Sequence, residues 1–347
     1  MPKPIEKILI IGPSWIGDMV MAQSLFKAIK ADNPDVLIDV LALAWTKPLL
    51  DRMPEVNQAI IMPITHGVFA WKERKKIGHN LRDRHYDQAI VLPNSWKSAL
   101  IPWFANIPIR SGWRGEMRYG LLNDIRILDK SIFPMMVQRY VSLAYPATHS
   151  NAAPSYQAPL MIATAIRSDF QIPLTAEQKR LILCPGAEFG PAKQWPATHY
   201  AELANKLIQQ NWQVLILGSQ ADQTIADDIV SHIESDRQPA IFNLCGKTEL
   251  SDAIDLLATA DMVVSNDSGL MHIAAALQKP LIAIYGPTSP SFTPPLAGNA
   301  HIVQIDVECG PCFQRICPEH HHRCMRDISD EQIVTLVKKT NPSSPIN

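Results

Sequence analysis

An aspartate stands in the first glycine-containing turn of the chain. The turn Gly12–Asp18 follows an apolar run and precedes a stretch with helical periodicity. Asp18 could act there as a general base on a hydroxyl group, and Trp15 and Ile16 beside it would desolvate it and raise its pKa. Asp18 could equally be the helix N-cap, which is worth about 1 kcal/mol. The turn lacks the G-x-G-x-x-G and Walker patterns, which argues against a dinucleotide or Walker-type site.

A second candidate site follows the apolar run Met262–Ser265. The residues Asn266–Ser268 favour the start of a helix, and Gly269 leaves room for a ligand at its first turn. The free amides and partial positive charge of a helix N-terminus suit a diphosphate. His272 would lie one turn further along. Ordinary capping beside a packed histidine explains the same residues, but the place after a strand favours a ligand site.

The loop Cys184–Pro196 is another element suited to an anion. It follows an apolar run, is rich in glycine and proline, and carries Lys193 between Phe189 and Trp195. An ammonium group neutralises a phosphate without a fixed geometry. A solvated surface lysine is the usual alternative, and the flanking aromatic residues make the phosphate contact the better interpretation.

Four cysteines lie close together late in the sequence, at Cys309, Cys312, Cys317 and Cys324. Their C-x2-C pair and the histidines at 320–322 could belong to a tetrahedral structural zinc site. An iron–sulfur cluster is a weaker alternative, and a redox pair is another. Reduced thiols in a compact loop explain the spacing equally well, so both interpretations stay open. The other two of the six cysteines are expected in the core.

Short β-branched runs alternate with helix-like stretches along most of the chain, which predicts parallel sheets covered on both faces. The alternation fades between about residues 145 and 176, where prolines are frequent. We therefore predict an α/β protein with two Rossmann-like, doubly wound parallel-sheet domains facing a central cleft, at residues 1–150 and 177–347. A Pro-rich connector at 151–176 joins them, and the second domain includes the cysteine-rich loop and a terminal helix. One large sheet is disfavoured because single cores seldom exceed about 250–300 residues.

The composition is that of a globular enzyme, with 47% hydrophobic and 19% charged residues. A net charge of −1 provides no general attraction for nucleic acid. No apolar stretch reaches the roughly 18 residues needed for a transmembrane segment. The N-terminal residues show no signal-peptide pattern, so we expect a cytoplasmic protein with reduced cysteines.

Six segments carry a resemblance to one enzyme family. They read PSWIGDMVMAQSLFKAI, VLPNSWKSAL, SGWRGEMRYGLLND, CPGAEFGPAKQWP, SNDSGLMHIAAAL and YGPTSPSFTPP. Between about residues 7 and 296 the chain resembles the ADP-heptose:lipopolysaccharide heptosyltransferases of glycosyltransferase family 9, of the type II group. The resemblance implies a GT-B fold whose N-terminal domain binds the acceptor and whose C-terminal domain binds the ADP-sugar. It also implies inverting transfer of L-glycero-D-manno-heptose from ADP-heptose to heptosyl-Kdo2-lipid A, with no cofactor required.

The resemblance also assigns roles to the motif residues. Asp18 corresponds to the proposed base, and Lys193 to a lysine that contacts the diphosphate. The D-[ST]-G-x-x-H donor motif corresponds to Asp267, Ser268, Gly269 and His272. Asp222 lies where relatives have an acidic donor contact, although the surrounding loop differs from theirs. The cysteine cluster departs from heptosyltransferases that lack it, and the transfer needs no metal there.

The implied acceptor is an inner-core lipid that carries carboxylates, so cations should face it from the first domain. The candidates are Lys97, Arg110, Arg114 and Arg118. A solvated basic loop is the alternative for the arginines. Because this acceptor is embedded in a membrane, we expect a peripheral position at the cytoplasmic face of the inner membrane, with Trp103 and Phe104 as a candidate contact. Domain closure about the connector is expected as well.

Three other functions are weighed against this prediction. The first is another GT-B sugar-nucleotide enzyme, either a transferase with a different acceptor or an epimerase, which product analysis would distinguish. The second is a non-catalytic sugar-nucleotide binder, which Asp18 and Lys193 disfavour. An oxidoreductase is the weakest, because no dinucleotide fingerprint follows the first strand of either domain.

Overall fold

The computed structural model describes residues 4–65, 67–147, 152–167, 170, 172–175 and 177–340. The chain divides into two compact units, Met1–Met161 (unit 1) and Ile162–Asn347 (unit 2). Among these described residues, each unit forms one six-stranded sheet in which every neighbouring pair of strands is parallel. None of the helices in these ranges is long and apolar enough to cross a membrane.

In the part of unit 1 that the structure describes, there are six strands and five α-helices. The strands are β1 Lys7–Ile11, β2 Leu37–Ala42, β3 Gln58–Ile61, β4 Gln88–Val91, β5 Ile109–Trp113 and β6 Asp124–Arg126. The helices are α1 Ile16–Asp32, α2 Lys47–Leu50, α3 Trp71–Asn80, α4 Leu100–Phe104 and α5 Met136–Val141. The strand order β3-β2-β1-β4-β5-β6 reverses the direction of winding between β1 and β4. Ligands of such sheets bind beyond the carboxyl ends of the strands at this switch point.

Unit 2 repeats the same topology. Its strands are β7 Lys179–Cys184, β8 Trp212–Ile216, β9 Ile241–Asn243, β10 Met262–Asn266, β11 Leu281–Tyr285 and β12 Ala300–Gln304. Its helices are α6 Ala197–Ile208, α7 Gln223–Ser231, α8 Leu250–Leu257, α9 Gly269–Ala276, α10 Arg323–Arg326 and α11 Asp330–Thr340. The order β12-β11-β10-β7-β8-β9 places the switch point between β7 and β10.

The central strands are the apolar runs that the sequence predicts. Every residue of β8, β10 and β11 is buried, because strands covered on both faces need apolar side chains at consecutive positions. The strand β5 and the edge strands β6 and β12 are not predicted by that pattern. In β6, Arg126 and Asp124 interrupt the apolar character, and their ion pair at 2.9 Å keeps both charges partnered.

The segment predicted as a connector, 151–176, is held to both units in its described parts. The hydroxyl of Ser24 on α1 donates a hydrogen bond to the carbonyl of Gln157 at 2.7 Å. Further along, the backbone N–H and the hydroxyl of Thr164 donate to the two carboxylate oxygens of Asp255 on α8, both at 2.8 Å. The segment contains no α-helix or strand among its described residues.

Candidate active site

A cavity of about 480 Å³ opens at the β1/β4 switch point of unit 1. It is lined by the turn that follows β1, by residues 92–95, Lys97 and Ser98 after β4, and by residues of α5. The cavity therefore lies where parallel α/β sheets of this topology bind their ligands.

Asp18 lines this cavity from the first turn of α1. The helix begins at Ile16 with Trp15 as its N-cap, so the interpretation of Asp18 as the N-cap is wrong. The hydroxyl of Tyr140 on α5 donates a hydrogen bond to the Asp18 carboxylate. Burial, together with the charge of Asp18 and this hydrogen bond, raises the pKa of Tyr140 well above its usual value. Tyr140 thus stays protonated and orients a half-buried carboxylate that is suited to accept a proton.

Lys97 is the one of the four predicted acceptor cations that lines the cavity. Its ammonium group donates a hydrogen bond to the Gly67 carbonyl at 2.7 Å, which fixes it at the rim. Arg114 is exposed and does not belong to the lining.

The side chains of Arg118 and Arg110 bind backbone carbonyls and do not line the cavity. Arg118 is fully buried, donates to the Pro93 carbonyl at 2.7 Å and to the Trp113 carbonyl, and burial lowers its pKa to about 10. Arg110 donates to the Leu121 carbonyl at 2.6 Å. Because buried carbonyls already occupy these guanidinium groups, the arrangement favours a structural role for both over the predicted acceptor contact.

Two cations of the cavity were missed by the sequence reasoning. Arg74 of α3 and Arg139 of α5 both line it. The Arg139 guanidinium donates hydrogen bonds to the carbonyls of Phe133 at 2.9 Å and Pro134 at 3.3 Å. The Arg74 guanidinium donates to the Phe69 carbonyl at 2.6 Å. Both stand outside glycine-rich turns, and a motif search alone does not single them out.

In unit 2, a buried asparagine holds the loop Cys184–Pro196, here called the lysine loop, at the β7/β10 switch point. The amide oxygen of Asn266 accepts hydrogen bonds from the N–H of Trp195 at 3.2 Å and from the hydroxyl of Tyr200 at 3.1 Å. Its amide nitrogen donates to the Pro185 carbonyl at 2.7 Å. Both ends of the loop are thereby tied to the end of β10, and a buried amide is satisfied by three bonds.

Lys193 is fixed by a nearly buried ion pair. Its ammonium group donates to Asp267 Oδ2 at 2.6 Å, and the Thr288 hydroxyl donates to the same oxygen, also at 2.6 Å. The side chains of Lys193 and Asp267 are only 12% and 6% exposed. Because a carboxylate repels a diphosphate, Asp267 suits the positioning of Lys193 better than direct contact with the phosphates.

The donor motif begins α9 as the sequence predicts. The hydroxyl of Ser268, the N-cap, accepts a hydrogen bond from the N–H of Met271 at 3.4 Å, and Gly269 is the first helical residue. His272 is buried one turn further along. Burial is the largest cause that lowers the pKa of His272, to about 4, so its imidazole is neutral at pH 7 and acts only through hydrogen bonds.

This depressed pKa predicts an acid-dependent stability. Between about pH 6.5 and pH 4 the unfolded chain binds a proton at His272 that the folded chain excludes. The free energy of unfolding should therefore decrease by about 3 kcal/mol as the pH falls through this window. Urea unfolding of the wild type and of His272→Gln at pH 7.5 and 4.5 tests this, because the variant should lack that part of the decrease. His301→Gln, an exposed control, should follow the wild type. Parallel pH profiles for wild type and His272→Gln would contradict the expectation.

Asp222 lies beside the lysine loop at the end of the neighbouring strand β8. Its Oδ2 accepts hydrogen bonds from the N–H and the hydroxyl of Ser219, both at 2.8 Å. A Cβ added at Gly186 would lie 2.6 Å from the Asp222 carboxyl group, so this side chain packs directly against the backbone of the lysine loop. The structure thus brings Asp222 to the same edge of the sheet as Lys193 and Asp267.

The cysteine-rich segment, residues 309–324, packs on the lysine loop. Gly190 has a φ of +155°, and a Cβ there would lie 2.4 Å from the Arg315 carbonyl oxygen, so only glycine fits. The Arg315 guanidinium lies 5.4 Å from the centre of the Phe189 ring, and the Lys193 ammonium lies 4.8 Å from the same ring. Arg315 is therefore a second cation beside Lys193 that the sequence reasoning missed.

The four clustered cysteines are all free thiols. Cys317 and Cys324 are buried, and burial, followed by the charges of Cys312, Cys309 and Cys317, raises the pKa of Cys324 to about 11. The Cys309 sulfur lies 3.8 Å from His321 Nε2. Within the ranges that the structure describes, no three His, Cys, Asp or Glu side chains are arranged to hold a metal ion. Of the two interpretations that the sequence left open, this arrangement does not support the structural zinc site.

Comparison with known proteins decides the family. The family model described as "Glycosyltransferase family 9 (heptosyltransferase)" matches residues 74–322. The chain is 49% identical over 337 residues to the lipopolysaccharide heptosyltransferase 2 of Salmonella typhimurium, covering 94% of this chain and 96% of that protein. It is 50% identical over 340 residues to the lipooligosaccharide heptosyltransferase 2 of Haemophilus ducreyi, covering 94% and 97%. The chain belongs to glycosyltransferase family 9.

A solved structure of family 9 has the same fold. The E. coli ADP-heptose LPS heptosyltransferase II structure superposes with a TM-score of 0.84 at 45% identity, and the match covers 96% of this chain and 98% of that one. The α/β fold of two parallel six-stranded sheets is thus the GT-B fold, and the chain is a glycosyltransferase. The family match includes most of the cysteine-rich segment.

Other side chains of this family 9 site also lie outside the predicted set. Thr288 belongs to the YGPTSP segment that carried part of the resemblance, so a hydroxyl after β11 was a usable signal. For Tyr140 and Arg315 the sequence offers no such signal, because neither residue follows a strand of the predicted pattern. The structure supplies their contacts through α5 and through the cysteine-rich segment.

Proposed function

We propose that this protein transfers L-glycero-D-manno-heptose from ADP-heptose to the first heptose of the lipopolysaccharide inner core, with inversion at the anomeric carbon. In this proposal unit 1 binds the acceptor, heptosyl-Kdo2-lipid A, and unit 2 binds the donor. The main support is the identity of about half of all residues, over nearly the whole chain, to proteins named heptosyltransferase 2. The position of Asp18 on the unit 1 cavity agrees with it.

The acceptor half of the reaction requires a base. The Asp18 carboxylate takes the proton of the acceptor hydroxyl, and the resulting oxygen nucleophile forms a bond to the anomeric carbon of heptose. Tyr140 keeps the carboxylate oriented. Lys97 at the cavity rim supplies a positive charge for a carboxylate of the acceptor. Arg74 and Arg139 add to the positive potential of the cavity wall, although their guanidinium groups are held by backbone carbonyls.

The donor half of the reaction requires stabilisation of a leaving diphosphate. As the bond between the anomeric carbon and the phosphate oxygen breaks, its electron pair stays with ADP. Lys193 and the free amides at the start of α9 meet that developing charge, and Arg315 adds a second cation beside Phe189. Asp267 and Thr288 hold the Lys193 ammonium in place. No step of this mechanism uses a metal.

A screen of donors against acceptors with the purified protein tests the proposal. We expect product with ADP-heptose and heptosyl-Kdo2-lipid A, and little with UDP-sugars or with Kdo2-lipid A that lacks the first heptose. Mass and linkage analysis of the product identify the bond formed. Release of free or epimerised sugar without an acceptor would favour an epimerase, and donor binding without turnover would favour a non-catalytic binder.

The same assay addresses the cysteine cluster. Addition of EDTA should leave the transfer rate unchanged, because no metal takes part in the proposed steps. Zinc and iron analysis of the same sample decides between a bound metal and reduced thiols at residues 309–324. A rate that falls with EDTA and returns with Mg²⁺ would contradict the metal-independent mechanism.

A further inference from the structure

Unit 1 exposes a cluster of aromatic side chains. The rings of Phe69, Trp71 and Trp96 are stacked, with centroid distances of 6.0 to 6.5 Å. Phe69 is 48% exposed and Trp71 41%, and the neighbouring Val68 and Trp103 are exposed to a similar degree. Contiguous exposed apolar side chains of this kind on a folded protein mark a surface that contacts another molecule.

Positive charge borders this cluster on α3, the helix that begins at Trp71. Lys72, Lys75 and Lys76 of α3 are all exposed, with Glu73 as their acidic neighbour. The protein as a whole has a net charge of −1, so the lysines form a local positive region rather than part of a basic surface. We name Val68, Phe69, Trp71 and Trp103 with these three lysines the aromatic–lysine face.

The aromatic–lysine face adjoins the cavity of Asp18. Buried Arg74 donates hydrogen bonds to the carbonyls of Phe69 at 2.6 Å and of Val68 at 3.1 Å. Arg74 also lines the cavity, as does Gly67, the residue before Val68. The backbone that carries the exposed aromatic side chains is therefore the rim of the acceptor cavity.

The face is supported by close helix packing. A Cβ at Gly78 of α3 would lie 2.4 Å from Phe104 Cβ and 2.8 Å from the Ile101 carbonyl oxygen. α3 thus lies directly on α4, and the Trp71 ring packs edge-on against Phe104 with centroids 5.1 Å apart.

We propose that the aromatic–lysine face docks unit 1 on a lipid surface with anionic headgroups. Tryptophan and phenylalanine rings partition into the interface of a bilayer, while the exposed lysines of α3 beside them attract anionic lipids. Docking there places the cavity rim at the headgroups, where a lipid-linked saccharide would project. This inference deepens the proposed function and rests on its lipid-linked acceptor. Stacking of acceptor sugars on the exposed rings is the competing use of the same surface.

Vesicle co-sedimentation of the full chain tests the docking, without donor or acceptor. The probes are vesicles of phosphatidylethanolamine alone and with added phosphatidylglycerol. We expect binding that increases with phosphatidylglycerol and decreases with salt. The triple variant Lys72→Gln, Lys75→Gln, Lys76→Gln should bind on the order of 100-fold more weakly, since each lysine near an anionic surface contributes roughly a factor of five. Phe69→Ser with Trp71→Ser should weaken binding about tenfold.

Matched controls lie elsewhere on the chain. Lys338→Gln with Lys339→Gln removes two exposed lysines of α11, and Ile127→Ser removes an exposed apolar side chain of unit 1. Both should sediment like the wild type, and thermal melting checks the fold of every variant.

The outcomes separate this inference from the proposed function. Equal vesicle binding of wild type and both face variants overturns the docking surface. A second result would also overturn the docking surface. In it, the double variant Phe69→Ser, Trp71→Ser binds vesicles like the wild type but has a higher KM for a delipidated heptosyl-Kdo2 acceptor, because the rings then bind sugar. If the wild type turns over that delipidated acceptor but does not bind vesicles, the docking alone is wrong. Vesicle binding as expected, with no turnover of any acceptor, contradicts the proposed function alone.

Discussion

Replacement of Asp18 by asparagine should lower the turnover number by at least about 100-fold while donor affinity stays nearly constant. Loss of a general base costs roughly 100- to 10,000-fold, and asparagine keeps the shape but cannot take up a proton. The amide can still pair with the Tyr140 hydroxyl, so the local structure around α1 should persist. Steady-state kinetics with ADP-heptose and the lipid acceptor, together with calorimetric titration of ADP, measure both quantities.

Two further variants make this test specific. Asp32→Asn changes the exposed last residue of α1 and should leave the turnover unchanged. Tyr140→Phe removes the hydroxyl that orients Asp18 and should lower the turnover by a smaller factor, about tenfold. Wild-type turnover of Asp18→Asn would remove this carboxylate from the mechanism.

Replacement of Lys193 by alanine should weaken binding of ADP by about 10- to 100-fold, the loss expected for one charge-assisted contact. Binding of adenosine should change little, because the nucleoside lacks the phosphates that the ammonium neutralises. The variant should also be less stable by about 3 kcal/mol, since Asp267 is then left buried without its cation. Calorimetry gives the affinities, and urea unfolding gives the stability.

The double variant Lys193→Ala, Asp267→Asn separates binding from stability. It removes both charges of the buried pair, so the free energy of unfolding should recover while the affinity for ADP stays low. Arg315→Ala should weaken ADP binding as well, by less, because the Arg315 side chain is exposed. ADP affinity equal to that of the wild type in Lys193→Ala would show that this lysine does not contact the diphosphate.

The fold is predictable where burial alone determines the residue types. The apolar runs at Lys7–Ile11 and Leu281–Tyr285 are both strands, because all their residues except Lys7 are buried. The strand Ile109–Trp113 escapes the pattern, since it alternates with Arg110 near the edge of the sheet. Its charge is accommodated by the Leu121 carbonyl, a contact that depends on tertiary structure and not on local sequence.

The residues of the candidate site likewise fall into two groups: those whose positions the sequence predicts, and those whose positions depend on tertiary contacts. Asp18, Lys193 and the donor motif stand next to strands and glycines, so their positions follow from the order of elements. The arginines of the SGWRGEMRYG segment have the expected charge, yet Arg118 is used to hold Pro93 and Trp113. Arg139 reaches the cavity only because α5 packs against α1. Sequence spacing cannot predict a contact between two helices that lie more than a hundred residues apart.

The glycine contact between α3 and α4 has a consequence for how the protein meets a bilayer. Many peripheral anchors are disordered in water and become helical only on lipid, which costs ordering entropy at the moment of binding. Here α3 already lies against α4 through Gly78, so its rings and lysines are preorganised. Far-ultraviolet circular dichroism should therefore be the same before and after vesicles are added. Because no folding step accompanies binding, the association rate with vesicles should be limited only by the diffusional encounter of a rigid protein with a charged surface.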